Sequence, residues 1–326
     1  MTTNGVPEEK HTLITGGAGF IGSHLTERLL NTGEKVVVID DLSTGRIENL
    51  PKSNDEFKLR FIESDVTSCK DLDEIVAKSK YVYHLAAAVG VDLVVQSPIR
   101  TIETNLKSTE AILEAAAQKN TPILLPSSSE VYGKSSQEEF NEADDLLIGP
   151  PTLGRWSYAC SKLMDEFLAL AFYNERQLPV TVVRLFNTVG PRQTGRYGMV
   201  LPRFIESAKA NEPIRVFGDG KQSRCFCDVH DTIEALIRLA NCPEAYGNVF
   251  NIGSKEEVSI LELANRVITI TGSKSEVKLV PYDLAYDSGF EDMQRRRPSL
   301  NKLIEFTNFY PTTSLDDIIR SVAEIE

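Results

Sequence analysis

The feature that most constrains this chain is a short glycine-rich run, LITGGAGFIGSHL, between Leu13 and Leu25. Apolar residues lead into Gly16-x-x-Gly19-x-x-Gly22 and then into a helical pattern. A strand that turns at once into a helix needs Gly16 for the tight turn. It needs Gly19 for close backbone approach to a pyrophosphate, and Gly22 for close helix packing. The helix N-terminus then presents free N–H groups and a positive dipole end to phosphate. The next apolar run, VVVIDD, reaches Asp40, 18 residues past Gly22. A carboxylate about 20 residues on accepts hydrogen bonds from a ribose 2′-hydroxyl and repels a 2′-phosphate. The expected ligand is therefore NAD rather than NADP. Asp65, after a third apolar run, suits the adenine end.

The rhythm of the first half extends this motif into a fold. Strands are expected at His11–Thr15, Lys35–Ile39, Leu59–Ile62, Tyr81–His84, Pro122–Leu125 and Val180–Arg184. Helical patterns at Phe20–Asn31, Asp71–Ala77, Ile102–Gln118 and Ser157–Glu175 separate them. Continuous apolar strands between helices imply a parallel sheet covered on both faces. The expectation is an α/β fold, a Rossmann-type doubly wound parallel sheet. Past Phe186 glycine and proline become frequent, among them Gly190, Pro191, Gly195, Gly198, Gly218 and Gly220. Strands at Ile214–Phe217, Val249–Ile252 and Val277–Val280 mix with helices at Val200–Ala210, Asp231–Ala240 and Ser259–Thr271. The division expected is a dinucleotide-binding domain over 1–186 and a smaller C-terminal α/β substrate lobe over 187–326, with possible return strands to the main sheet.

Composition excludes several classes. The 326 residues carry a formal net charge of −12, which disfavours nucleic acid and anionic membranes as partners. An anionic ligand would need a local cluster of Arg or Lys. The five cysteines are scattered, and Cys225-x-Cys227 lacks metal-site spacing, so packing is the expected role and no metal is implied. On one strand the two would point the same way. No apolar run is long enough to span a bilayer, and MTTNGVPEEK is polar and acidic, unlike a signal peptide. A cytoplasmic protein is the expectation. His84 ends a strand and reads as a buried, hydrogen-bonded residue rather than a catalyst.

Chemistry enters with SYACSKLMDE, where Tyr158 and Lys162 share one helix face at i and i+4. A Lys ammonium beside a phenol lowers its pKa and makes a base of it. GGAGFIG, HLAA (His84–Ala87), SSSEVYG (Ser127–Gly133), Tyr158-x-x-x-Lys162 and RLFNTVGPR (Arg184–Arg192) occur together in this order. In that set the chain resembles the extended short-chain dehydrogenase/reductases over nearly its whole length. The resemblance implies a nucleotide-sugar substrate, with Tyr158 removing a hydroxyl proton while hydride passes to NAD. It widens the cofactor wall to Phe20, Ile21, Val66, Leu85, Ala86 and Ala87, beside Tyr158 and Lys162. Asn187, Arg192, Arg224 and Arg296 are implied for the nucleotide end of the substrate. A homodimer is implied through the helices at Ile102–Gln118 and Ser157–Glu175.

Within that family three features point to the UDP-glucuronate decarboxylases. Ser128-Ser129-Glu130 sets an acid where 4-epimerases usually carry a small residue. Arg155, three residues before Tyr158, resembles the arginine those decarboxylases carry, and its fork suits a substrate carboxylate. Arg296-Arg297-Pro298 resembles their Arg-Lys-Pro, although Arg295, Arg296 and Arg297 cannot all point inward. There are departures. The chain reads HLAAAVGV where those enzymes commonly read HLASPASP. Val89 stands where apiose synthases carry a cysteine, and Ser129 stands where the dTDP-glucose dehydratases carry an aspartate. The resemblance implies decarboxylation of UDP-glucuronate to UDP-xylose through a 4-keto intermediate. The alternatives are a UDP-sugar 4-epimerase, with UDP-glucuronate among its candidate substrates, a nucleotide-sugar 4,6-dehydratase or a non-catalytic NAD-binding regulator. Ser128 is expected to orient the C4 oxygen. Arg155, Arg296, or a water held by Glu130, is expected to deliver the proton to C5.

Overall fold

A computed structural model describes residues 10–52, 58–88, 97–194, 199–281 and 293–324. Val89, Gly195 and Gly198 lie outside the described residues.

The apolar runs of the first half form the strands of one parallel sheet. They are β1 (His11–Thr15), β2 (Val36–Asp40), β3 (Leu59–Glu63), β4 (Ser79–His84), β5 (Ile123–Ser128) and β6 (Val180–Leu185). A seventh strand from the C-terminal half, β11 (Asn248–Ile252), pairs with β6. The spatial order is β11-β6-β5-β4-β1-β2-β3, with parallel pairing throughout. The order reverses between β1 and β4, which is where a doubly wound sheet opens a crevice beyond its strand ends. Helices α1 (Phe20–Asn31), α2 (Leu72–Ala77), α3 (Pro98–Ala117) and α4 (Trp156–Arg176) connect these strands.

Each face of the sheet carries its own core. One packs Ile14, Val38 and Leu124 against Val229, Ile233, Leu236 and Leu239 of α6 (Val229–Ala240) and Leu300 and Leu303 near α8 (Asn301–Thr307). The other packs Leu13, Ile39, Val82 and Leu125 against α2, α3 and α4. Burying such side chains stabilises each by about 1.5–3 kcal/mol. A boundary at residue 186 therefore does not separate two independent cores, because β11, α6 and α8 complete the first one.

The smaller lobe has a core of its own. It joins α5 (Val200–Lys209), α7 (Ile260–Thr271) and α9 (Leu315–Ala323) around β8 (Ile214–Phe217), whose parallel partner is β13 (Val277–Val280). The expected Cys225–Cys227 strand divides in two. β9 (Ser223–Cys225) pairs with β12 (Glu257–Ser259), whereas β10 (Cys227–Asp228) pairs with β7 (Thr188–Val189). The break falls at Phe226, which is buried in the small lobe's core. Both cysteines are buried, in keeping with a packing role.

Candidate active site

Where the sheet order reverses, Thr15 ends β1 and Gly16 turns the chain with φ +72°. A Cβ on Gly16 would lie 2.7 Å from the Ala86 nitrogen, and one on Gly22 would strike the Gly16 carbonyl. The glycines keep the backbone of this turn bare, and α1 begins directly after Gly19. Asp40, at the end of β2, accepts hydrogen bonds from the Ala18 N–H at 2.9 Å and the Leu42 N–H at 2.8 Å. It braces the turn and also faces the cavity in front of it. Burial raises the Asp40 pKa above its ordinary value, against those N–H bonds. A bare turn at a helix N-terminus with a carboxylate at its flank fits a dinucleotide.

From this turn a continuous cavity of about 640 Å³ runs towards the small lobe. Its lining includes Gly16, Gly19, Phe20, Ile21, Gly22, Asp40, Asp65, Val66, Leu85, Ala86 and Ala87. Asp65 is bonded locally, accepting from the Thr67 N–H at 2.7 Å. Deeper in, the same cavity is lined by Ser128, Ser129, Glu130, Arg155, Tyr158, Lys162, Asn187, Arg224 and Arg296. All the named cofactor and catalytic candidates thus share one space.

Arg192 is the exception. Its guanidinium pairs with Glu27 on α1 and lies 3.4 Å from the Ser23 hydroxyl, outside the described lining of the cavity. Its expected contact with the nucleotide is not part of the lining described for the cavity. The three consecutive arginines divide as sterics require. Arg295 pairs with Glu257, Arg296 turns inward to Glu130, and the Arg297 carbonyl accepts from the Phe140 N–H.

The central constellation forms where β5 ends and α4 begins. Ser128 caps a short turn by accepting from the Glu130 N–H, which aims Glu130 into the cavity. The Glu130 carboxylate is held on one oxygen by Arg155 at 2.7 Å and on the other by Arg296 at 2.6 Å. Arg155 also lies over the Trp156 ring, 4.8 Å from its centroid. Burial alone would raise the Glu130 pKa; Arg296 and Arg155 outweigh it and hold the carboxyl down to about 2.

Tyr158 occupies the first turn of α4, and its phenol faces the Ser128 hydroxyl. Burial first, and then the Glu130 charge, push this phenol above its ordinary value; the Ser128 hydroxyl and Arg296 oppose the rise. Against the expected lowering by Lys162, burial sets the net direction upward, and the Lys162 ammonium pairs with Asp165 at 2.8 Å. His84 is buried and bonds the Thr15 hydroxyl through Nδ1 at 2.8 Å. Burial, followed by the Lys162 charge, lowers its pKa to about 3, so it is neutral at physiological pH.

Several lining residues carry no motif in the sequence. Arg100 and Thr104 enter from α3, and Arg203, Arg215 and Phe217 enter from the small lobe. Arg203 sits over the Phe217 ring at 4.7 Å. Six arginines line the cavity of a chain whose net charge is −12, and such a cluster suits an anionic ligand. The available signal was basic residues near GDG in an acidic chain. Asn187, with φ +33°, donates from Nδ2 to the Cys225 carbonyl at 2.9 Å and so ties β7 to β9 at the cavity wall. Among the described residues no cluster of His, Cys, Asp and Glu could hold a metal ion.

Comparisons with known proteins agree with this geometry. A model of the NAD dependent epimerase/dehydratase family matches residues 12–253. The chain belongs to that family. It is 40% identical over 325 residues to a UDP-N-acetyl-alpha-D-glucosaminuronate decarboxylase of Bacillus cytotoxicus, covering 98% of this chain and 99% of that protein. It is 32% identical to UDP-glucuronic acid decarboxylase 1 of Danio rerio, covering 95% of this chain and 71% of the relative. Among solved structures, a UDP-N-acetylglucosamine 4-epimerase of Methanobrevibacter ruminantium in complex with UDP-N-acetylmuramic acid superposes with a TM-score of 0.87. It is 29% identical and covers 97% of both chains.

Proposed function

We propose that this protein is an NAD-dependent decarboxylase of a nucleotide-linked uronic acid, converting UDP-glucuronate to UDP-xylose through a 4-keto intermediate. The observation that carries this reading is the carboxylate already seated between Arg155 and Arg296, beside Tyr158. Two guanidinium groups converging on one carboxylate make a receptor for that group. A 4-epimerase of a neutral sugar has no group that needs one.

Tyr158 removes the proton of the C4 hydroxyl, and Ser128 orients that oxygen. The glycine turn and Asp40 would hold NAD, which would supply the reversible hydride acceptor for C4. The C4 ketone is β to the C6 carboxylate, so the C5–C6 bond breaks with loss of carbon dioxide. Its electron pair passes into an enolate at C4. Arg155, Arg296 or a water held by Glu130 delivers the proton to C5. Arg224 and Asn187 meet the diphosphate. Because the cofactor is regenerated, it stays bound and the net reaction is that of a lyase.

A second substrate is favoured by one observation. The relative with 40% identity over almost the whole chain is named for an N-acetylated uronate. Ala86, Ala87 and Ala88 line the cavity, and small side chains there leave room for a larger sugar substituent. Incubation with UDP-glucuronate and with its 2-acetamido counterpart, followed by product mass, tests both. Loss of the mass of carbon dioxide from either supports the decarboxylase. An isomer of unchanged mass overturns it in favour of the 4-epimerase.

Two further features belong to the same reading. Ile99 and Ile102 on α3 and Met164 and Phe167 on α4 are exposed apolar side chains on neighbouring helices, and a second copy of the chain would cover them. Sedimentation as a monomer would contradict this. The free cysteines, with Cys160 exposed, suit a reducing cytoplasm. Among the described residues no helix is long and apolar enough to cross a membrane.

A further inference from the structure

Helix α4 places Tyr158, Lys162 and Asp165 at i, i+4 and i+7, one face of a helix. Two adjacent acids follow Lys162, and they differ in their partners. Glu166 is neutralised by Arg184 through three hydrogen bonds away from the cavity. The Asp165 side chain is fully buried and bonds the Lys162 ammonium at 2.8 Å, a group that lines the cavity. The Thr109 hydroxyl of α3 faces the same carboxylate. A buried carboxylate is costly unless paired, so this one persists because Lys162 accompanies it.

We propose that Asp165 is a positioning residue for the reaction: it anchors the Lys162 ammonium and limits how strongly that charge acts on Tyr158. The inference rests on the reading of Tyr158 as the base, and it holds for any chemistry that begins with removal of the C4 hydroxyl proton. The groups around the pair come from every packed element. Glu130 follows β5, Arg296 comes from the C-terminal segment, neutral His84 ends β4, and Thr109 lies on α3. Glu130 and Asp165 add negative charge near the phenol; Arg296 opposes them. Arg155 stands on Glu130, and Lys162, on the same helix face as Tyr158, is paired with Asp165, which offsets its charge. Without the Asp165 charge, the phenolate forms at lower pH, and the acid limb of the rate profile moves down with it.

The test compares wild type with Asp165→Asn in two measurements. One is the pH profile of kcat/KM on whichever uronate the wild type turns over. The other is the phenolate ultraviolet absorbance on pH titration, taken as the difference from Tyr158→Phe. The expected result is a shift of both transitions to lower pH by about one unit, a tenfold rate gain on the acid limb. Asp165→Glu is expected to keep the wild-type limb. Thr109→Val, which weakens the carboxylate's support, is expected to shift the limb the same way by less. This variant decides the matter if Asp165→Asn does not fold. A folded variant with an unmoved limb and an unmoved phenolate transition overturns the inference, even where its melting temperature falls. A wild type that releases no carbon dioxide sinks the decarboxylase reading instead, while the phenolate titration still reports on Asp165.

Discussion

Two acid–arginine clusters draw on the same charges and do opposite things. Glu166 and Arg184 have side chains 4% and 5% exposed, and Arg184 also lies over the Tyr132 ring at 4.8 Å. They are buried between α4 and β6, where Arg184 donates three hydrogen bonds to Glu166 and a longer one to the Glu142 carbonyl. Glu130, Arg155 and Arg296 have the same charges and similar distances, yet they line the cavity. What separates a structural pair from a site is the open side. In the sealed pair the donors of Arg184 are taken up by Glu166 and the Glu142 carbonyl. In the open cluster two guanidinium groups from distant parts of the chain converge on a carboxylate that faces the cavity.

Breaking the sealed pair gives the largest expected effect. Glu166→Ala leaves Arg184 buried without its carboxylate, at a cost of about 3–5 kcal/mol in stability. A denaturant titration measures it, and turnover per folded molecule should change less than about twofold, far below the loss expected on removing a proton-transfer group. Glu130→Ala reverses the pattern. It should fold, because the arginines it frees face the cavity, and lose about 10²-fold in turnover. Oxidation at C4, followed as reduced-cofactor absorbance in a single turnover, should fall by much less. An unimpaired Glu130→Ala would remove the role assigned to that residue.

A pH series sharpens the comparison at intermediate size. Glu130 is held at about 2 in the folded protein, below the ordinary value of about 4.3. Its contribution to stability is complete above the ordinary value and is lost as pH falls from about 4.3 to about 2. The stability difference between wild type and Glu130→Gln should therefore be flat above about pH 5 and shrink below it. A difference that grows on acidification contradicts the geometry of the clamp. The smallest effect belongs to Arg192→Ala. Its pair with Glu27 is partly exposed, so the loss should stay within about 1 kcal/mol. The KM for the sugar nucleotide should not move.

How much of this was legible in the sequence follows from the range of the forces involved. The glycine turn, β1 and α1 are local, and the run from Leu13 to Leu25 dictates them through sterics and periodicity. The helix spanning Tyr158 and Lys162 is local as well, so their shared face was visible. The rest depends on contacts between segments far apart in the chain. Nothing local distinguishes Arg295, Arg296 and Arg297; Glu257 and Glu130 sort them, and both lie far away in sequence. Arg192 sits in a family motif, and its partner Glu27 on α1 lies far away in sequence. Lys162 was read against Tyr158, one turn back, when the nearer partner was Asp165, one turn forward. Arg203 and Arg215 carried no pattern at all, because their place in the lining comes from how the small lobe closes over the sheet.

The central claim is that the arginine-clamped site breaks a C5–C6 bond and rebuilds C5 with a proton. The most direct test is turnover of UDP-glucuronate, or of its 2-acetamido counterpart, in deuterated water with mass and NMR analysis of the product. The account predicts a product lacking carbon dioxide and carrying one solvent deuterium, at C5. A product that keeps its carboxylate, or one with no deuterium at C5, contradicts it.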